Sequence, residues 1–125
     1  MDMTDNGHGS VIAVVDDDQR ILESIEILLD SANYDVRLFS SAAALLDSGV
    51  LPEIDCLISD VAMPGMGGIE LAQAVRASLP ALPIILVTGR HDLLNQSLVN
   101  HFRVFKKPFD GQDLLMAVAD ALRFP

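Results

Sequence analysis

Val11-Ile-Ala-Val-Val15 is followed at once by Asp16-Asp17-Asp18 and then by the stretch Gln19 to Leu29. The first five residues are apolar, and all but Ala13 are β-branched. That composition predicts a strand buried on both faces, as in a parallel sheet. Ile21, Leu22, Ile25, Leu28 and Leu29 recur at i, i+1, i+4, i+7 and i+8, which lines one side of a helix. Asp18 stands where a carboxylate can cap the first turn and meet the positive end of the helix dipole. Strand, acidic turn and helix together make one βα unit.

The pattern repeats outward from there. Asp35–Phe39, Asp55–Ser59, Pro83–Val87 and Arg103–Phe105 read as further strands. The run at 83–87 is as apolar as the first. The run at 35–39 alternates and keeps a polar face, which places it at an edge. Ser40 or Ser41 can cap a short helix carrying Ala44 and Leu45. Ile69, Ala72, Val75 and Leu79 form another stripe, ended by Pro80. Leu114, Leu115, Val118 and Leu122 form the last, with Asp110 as its N-cap. His91–Asn100 is the least regular helix: Leu93, Leu94, Leu98 and Val99 are interrupted by Asn95, Gln96 and Ser97. Five βα units use up the 125 residues and predict an α/β sandwich, a parallel sheet with helices on both faces. Residues 1–10, MDMTDNGHGS, read as a flexible tail before a single domain over 11–125, with no effector segment.

Composition narrows the function classes. Eight Lys and Arg against 18 Asp and Glu give a net charge of −10 and an isoelectric point near 4.3. That balance disfavours nucleic acid and anionic membranes, both of which call for basic residues. Cys56 is the only cysteine, so neither an internal disulfide nor an all-cysteine zinc site can form. No apolar run approaches the roughly 20 residues that span a bilayer, and the N-terminus lacks the basic start and apolar core of a signal peptide. A cytoplasmic location is expected.

In a doubly wound sheet the functional groups gather beyond the carboxyl ends of the strands. Those ends carry Asp16-Asp17, then Asp60, then Thr88-Gly89, then Lys106-Lys107-Pro108. Each piece alone has an ordinary reading as a cap, an Asx-turn or a solvated charge; their joint occurrence on successive strands is specific. Three carboxylates in one crevice repel one another, and a cation relieves that repulsion. All-oxygen ligands favour Mg²⁺ or Ca²⁺. With a hydroxyl and an ammonium added, the set suits phosphoryl transfer, in which positioning and charge neutralisation matter most. A carboxylate is a competent nucleophile for phosphorus.

The sequences VVDDD at 14–18, LISDVAMPGMGGIEL at 57–71, ILVTGR at 85–90 and KKPF at 106–109 resemble the receiver domain of two-component response regulators. The resemblance runs from Val11 to about Leu122. It implies a flavodoxin-like (βα)5 fold with strand order 2-1-3-4-5. It implies that Asp60 accepts a phosphoryl group from the phosphohistidine of a sensor histidine kinase or phosphotransfer protein. Asp16 and Asp17 would organise Mg²⁺ (Mn²⁺ as a substitute), with the backbone carbonyl of Ala62 as a further ligand. Thr88 would be the switch hydroxyl, Lys107 the phosphoryl partner and the Lys107–Pro108 bond cis. The implied outcome is a conformational switch acting on a downstream target or output domain, not an enzyme beyond self-catalysed phosphoryl uptake and loss.

Three departures fall on one side of the domain. Val104 stands where the family usually has an aromatic residue that rotates behind the switch hydroxyl. Thr88 and Lys107 are 19 residues apart, about one helical turn shorter than usual. Asn100-His101 replaces a Gly-Ala pair. Family members commonly dimerise or signal through that side, and homodimerisation is one expectation. Ala62 and Gly89 place no side chain above the crevice, which predicts an acyl phosphate open to water. Other readings stay open at this stage. Asp16-x-Asp18 could serve a haloacid-dehalogenase-like phosphatase with Asp16 as nucleophile, although Arg20 and the absence of a later acidic motif disfavour it. A flavin mononucleotide binder would put a phosphate where the aspartates stand. A receiver-shaped interaction module would not cycle phosphate.

Overall fold

The computed structural model describes residues 9–90 and 100–123. In chain order the elements are β1 (Val11–Val15), α1 (Gln19–Ser31), β2 (Asp35–Phe39), α2 (Ala42–Ser48), a 3-10 turn (Leu51–Glu53), β3 (Cys56–Asp60), α3 (Gly68–Ser78), β4 (Ile84–Thr88), β5 (Arg103–Lys106) and α4 (Gly111–Arg123). The five strands are parallel, in the order β2-β1-β3-β4-β5. This is the predicted flavodoxin-like arrangement.

The burial of each strand follows its place in the sheet. β3 and β4 are buried at every position, and β1 at all but its first residue. β2, the alternating run, and β5 are the edges and remain partly open. Alternate strand residues face opposite layers. Ala13, Val15, Leu57, Ile84 and Leu86 pack under α2 and α3 with Leu45, Leu71 and Val75. Ile12, Val14, Cys56, Ile58, Ile85 and Val87 pack under α1 and α4 with Leu22, Ile25, Leu29, Leu114 and Val118. Burial pushes the Cys56 thiol up to about 12, so it is protonated and inert at neutral pH.

Capping residues fall where the sequence puts them. Asp18 accepts from the Arg20 N–H at the start of α1, Ser41 from Ala44 at α2, and Asp110 from Gln112 before α4. Asn33, with φ 69°, ends the α1 excursion in the left-handed region, which asparagine tolerates better than most residues.

Some boundaries differ from the reading of the sequence. β3 and β4 start and end one residue later than predicted, so Asp60 and Thr88 are the last strand residues rather than the first loop residues. The ladder continues past the apolar run, since Val61 N–H donates to Val87 and Lys107 N–H to Thr88. β5 likewise extends to Lys106. In α3, Leu71 is buried while Ile69 is half-exposed and Leu79 is the C-cap. The predicted helix at His91–Asn100 and the tail at 1–8 fall outside the described residues, apart from Asn100. Ser10, placed in the tail, accepts the Asp35 N–H through its carbonyl.

One close approach locks α3 against the third strand. Gly68, the first residue of α3, donates its N–H to the Val61 carbonyl at 2.9 Å. A Cβ at this position would strike the Asp60 carbonyl oxygen, with the Asp60 carbonyl carbon at 2.8 Å and Val61 Cα at 2.9 Å. These are backbone atoms that cannot turn aside, so only glycine fits. Gly68→Ala is therefore expected to lower stability by about 2 kcal/mol or more, the range for overpacking a tight site. Urea denaturation beside Gly89→Ala, where an added Cβ meets nothing closer than 3.9 Å, measures the difference.

Candidate functional site

The strand order brings the ends of β1, β3, β4 and β5 together. Asp16 follows β1 directly. Its N–H donates to Phe39, and its carboxylate accepts from the Asp18 N–H at 2.9 Å and from Lys107 Nζ at 3.0 Å. The Asp16 side chain is 3% exposed. Both of its oxygens thus serve internal donors, which argues against a role as nucleophile. Asp60 closes β3 with its side chain 7% exposed, and one oxygen lies 3.4 Å from Lys107 Nζ. Asp17 is exposed at the rim. Lys107 is held by its own N–H on the Thr88 carbonyl at 2.7 Å, and the peptide bond to Pro108 is cis.

Carboxylate oxygens of Asp16, Asp17 and Asp60 lie within 4.8 Å of one another. Three negative charges face a single ammonium, so the cluster carries an excess of two even with Lys107 fully engaged. An all-carboxylate donor set of this kind fits a hard divalent cation and offers nothing to a thiophilic one. The residues present therefore suit the predicted Mg²⁺.

The electrostatics follow from burial. Desolvation raises the Asp60 pKa above the ordinary carboxylate range, and the neighbouring charge of Asp16 adds to that. Lys107 offsets part of it. For Lys107, burial works to lower the pKa, but the hydrogen bond and charge of Asp16, then Asp60, outweigh it and the net direction is up. The ammonium is thus held in its charged form.

Thr88 is buried and has its hydroxyl turned into its own loop. It accepts from the Arg90 N–H at 2.8 Å and donates to the Arg90 carbonyl at 3.3 Å. Sequence reading placed this hydroxyl at the crevice but gave no sign of this local turn; a threonine two residues before a loop N–H is the pattern that could have revealed it. Val104 packs into the layer under α2 and α3, pairs in register with Leu86, and shares its face of the sheet with Phe102. Ala62 follows β3 beside the cluster and is half-buried. Gly68 was missed as a contributor to the site; its signal was the glycine pair at 67–68 opening a helix next to Asp60.

The description "response regulator receiver domain" belongs to the family model that matches residues 12–119. The transcriptional regulatory protein FixJ of Bradyrhizobium diazoefficiens is 36% identical over 124 residues, covering 97% of this chain and 59% of its own length. NtrC of Escherichia coli, a DNA-binding transcriptional regulator, is 31% identical over 90% of this chain and 24% of its own. The chain thus spans little more than half the length of FixJ. Among solved structures, a receiver domain protein from Clostridium thermocellum superposes with a TM-score of 0.84 at 30% identity, covering 91% of this chain and 94% of that one. Full-length FixJ from B. japonicum gives 0.78 at 36% identity, over 93% and 59%. On the fold, the strand-end crevice and these matches together, the chain belongs to the response regulator receiver domains of two-component signal transduction.

Proposed function

We propose that Asp60 is the phosphoacceptor, and that phosphorylation depends on a divalent cation, Mg²⁺ first among them, held by Asp16, Asp17, Asp60 and the Ala62 carbonyl. The observation that carries this reading is the Asp16–Asp17–Asp60 cluster with Lys107 Nζ 3.0 and 3.4 Å from two of its members. The donor is a phosphohistidine on a sensor histidine kinase or phosphotransfer protein. An Asp60 carboxylate oxygen attacks phosphorus, the phosphorus–nitrogen bond breaks, and the imidazole leaves. The product is an acyl phosphate. The cation's contribution is to neutralise charge on the phosphoryl oxygens.

The protein's own groups do the rest. Asp16 orients Lys107 through their hydrogen bond, and Lys107 takes one phosphoryl oxygen. Phosphorylation turns one negative charge into about two and adds acceptor oxygens. The Thr88 hydroxyl, released from Arg90 by a side-chain rotation, is the group able to follow that charge. The longer relatives are named transcriptional regulatory proteins, which supports an output segment under the control of this switch. In this chain the response does not pass through a rotating aromatic at 104, because valine is small and stiff at χ1. The site points away from catalysis on an outside substrate: chemistry is confined to gaining and losing the phosphoryl group.

Incubation with Mg²⁺ and acetyl phosphate should add one phosphate to the wild type and none to Asp60→Asn, read as intact mass. Uptake by both proteins, or by neither, overturns the assignment. The raised Asp60 pKa also has a sign that can be tested. A carboxyl titrating higher in the folded state stabilises the fold only while protonated, and that contribution is lost as pH rises through its folded value. Without divalent cation, Asp60→Asn should melt above the wild type at neutral pH, the gap closing as pH falls into the acid range. Mg²⁺ should raise the melting temperature of the wild type more than that of the variant. Finally, Ala62 and Gly89 leave the phosphoryl group uncovered. The acyl phosphate should decay in minutes rather than hours, and Gly89→Val, whose side chain would rest on the Lys107 stem, should lengthen its life several-fold. Phosphate release after removal of the donor gives both values.

A further inference from the structure

At the opposite end of the sheet from the crevice lies a cavity of about 580 Å³, opening where β4 and β5 begin. Pro83, Phe102 and Ala117 give it apolar walls, and Arg76, Arg103 and Asp120 are the charged residues that line it. His101 also borders it. Neither arginine has an acidic partner among the described residues. The Arg76 guanidinium rests over the Phe102 ring, 4.8 Å from its centroid, and its Nη1 donates to the His101 carbonyl at 3.4 Å. Its Nε is shut from solvent with no acceptor in reach. Arg103 lies 5.5 Å from the centroid of the Phe105 ring. Asp120 is engaged by Arg123 at 3.3 Å.

This arrangement runs against the charge balance of the chain. Acids outnumber Lys and Arg by 18 to 8, and Arg20, Arg37, Lys107 and Arg123 each hold a carboxylate. Two arginines with no acidic partner among the described residues share one cavity instead. A buried N–H without an acceptor leaves its desolvation uncompensated, so the Nε edge of Arg76 lacks a partner.

We propose that this cavity binds a small organic carboxylate. A guanidinium offers its Nε and Nη2 donors as a planar fork that matches the two oxygens of a carboxylate. Turning the Arg76 fork toward the cavity keeps its stack on Phe102 and gives Nε its acceptor. Arg103 supplies the second positive charge, and the apolar walls cover a compact apolar body. The volume lies in the range of small-ligand sites. A phosphate dianion is the poorer fit, because Asp120 faces the same space and the apolar walls of Pro83, Phe102 and Ala117 would lie against its remaining oxygens.

Titrating the isotope-labelled chain with benzoate, benzamide and inorganic phosphate tests this through the amide signals of Phe102, Arg103 and Ala117. Benzoate should give saturable shifts, weakened by about tenfold or more in Arg76→Met and in Arg103→Met, as loss of a charge-assisted pair predicts. Arg103→Met, on an edge strand, stands in if Arg76→Met fails to fold. Benzamide, of the same shape without the charge, should not saturate. Shifts that grow linearly with benzoate, equal binding of benzamide, indifference to the arginine substitutions, or tighter saturation by phosphate would each overturn the proposal.

Discussion

Three carboxylates and one ammonium around a single point set the terms for the rest of the molecule. Bringing Asp16 and Asp60 out of water beside each other is unfavourable unless their charge is answered. Lys107 answers part of it and leaves an excess for solvent at the rim, a proton or a cation to meet. The crevice is thus unstable by construction and responsive to what enters it. The remainder of the fold is a rigid frame for that instability: two apolar layers pressed on a sheet whose three central strands are buried almost throughout. The frame tolerates the repulsion because the charges lie at strand ends, next to solvent, and not inside the layers.

Much of this was legible in the residues. The apolar runs at 11–15 and 83–87 marked buried strands because no polar face interrupts them, and the alternation at 35–39 marked an edge. Asp18, Ser41 and Asp110 could be read as caps because capping is local chemistry. The crevice could be assembled from sequence since a parallel sheet puts every strand's carboxyl end on the same side, so that residues far apart in the chain need no further information to meet.

What stayed hidden depends on contacts between segments. The one-residue extension of β3 and β4 comes from ladder hydrogen bonds, which apolarity does not encode. The orientation of the Thr88 hydroxyl is set by the backbone of Arg90. The requirement for glycine at 68 arises from how closely α3 approaches the Asp60–Val61 backbone. Leu71 belongs to the buried face with Ala72 and Val75, one position off the stripe read from the sequence, while Ile69 packs at the margin of that face. The arginines at the base of the sheet were invisible as a pair: Arg76 and Arg103 are 27 positions apart in sequence, and only the stacking of Arg76 on Phe102, just before β5, brings them to one cavity.

The bond from Lys107 N–H to the Thr88 carbonyl has a consequence for how such a domain can diversify. It fastens the end of β5 to the end of β4 independently of the chain between them. In this protein that connection is short and ends in an unusual Asn100-His101 pair, yet Lys107 still stands 3.0 Å from Asp16. The length and sequence of the intervening segment can therefore vary while the geometry of the crevice stays where it is. Loop variation and crevice geometry become separately heritable, joined by the β4–β5 ladder that this bond completes.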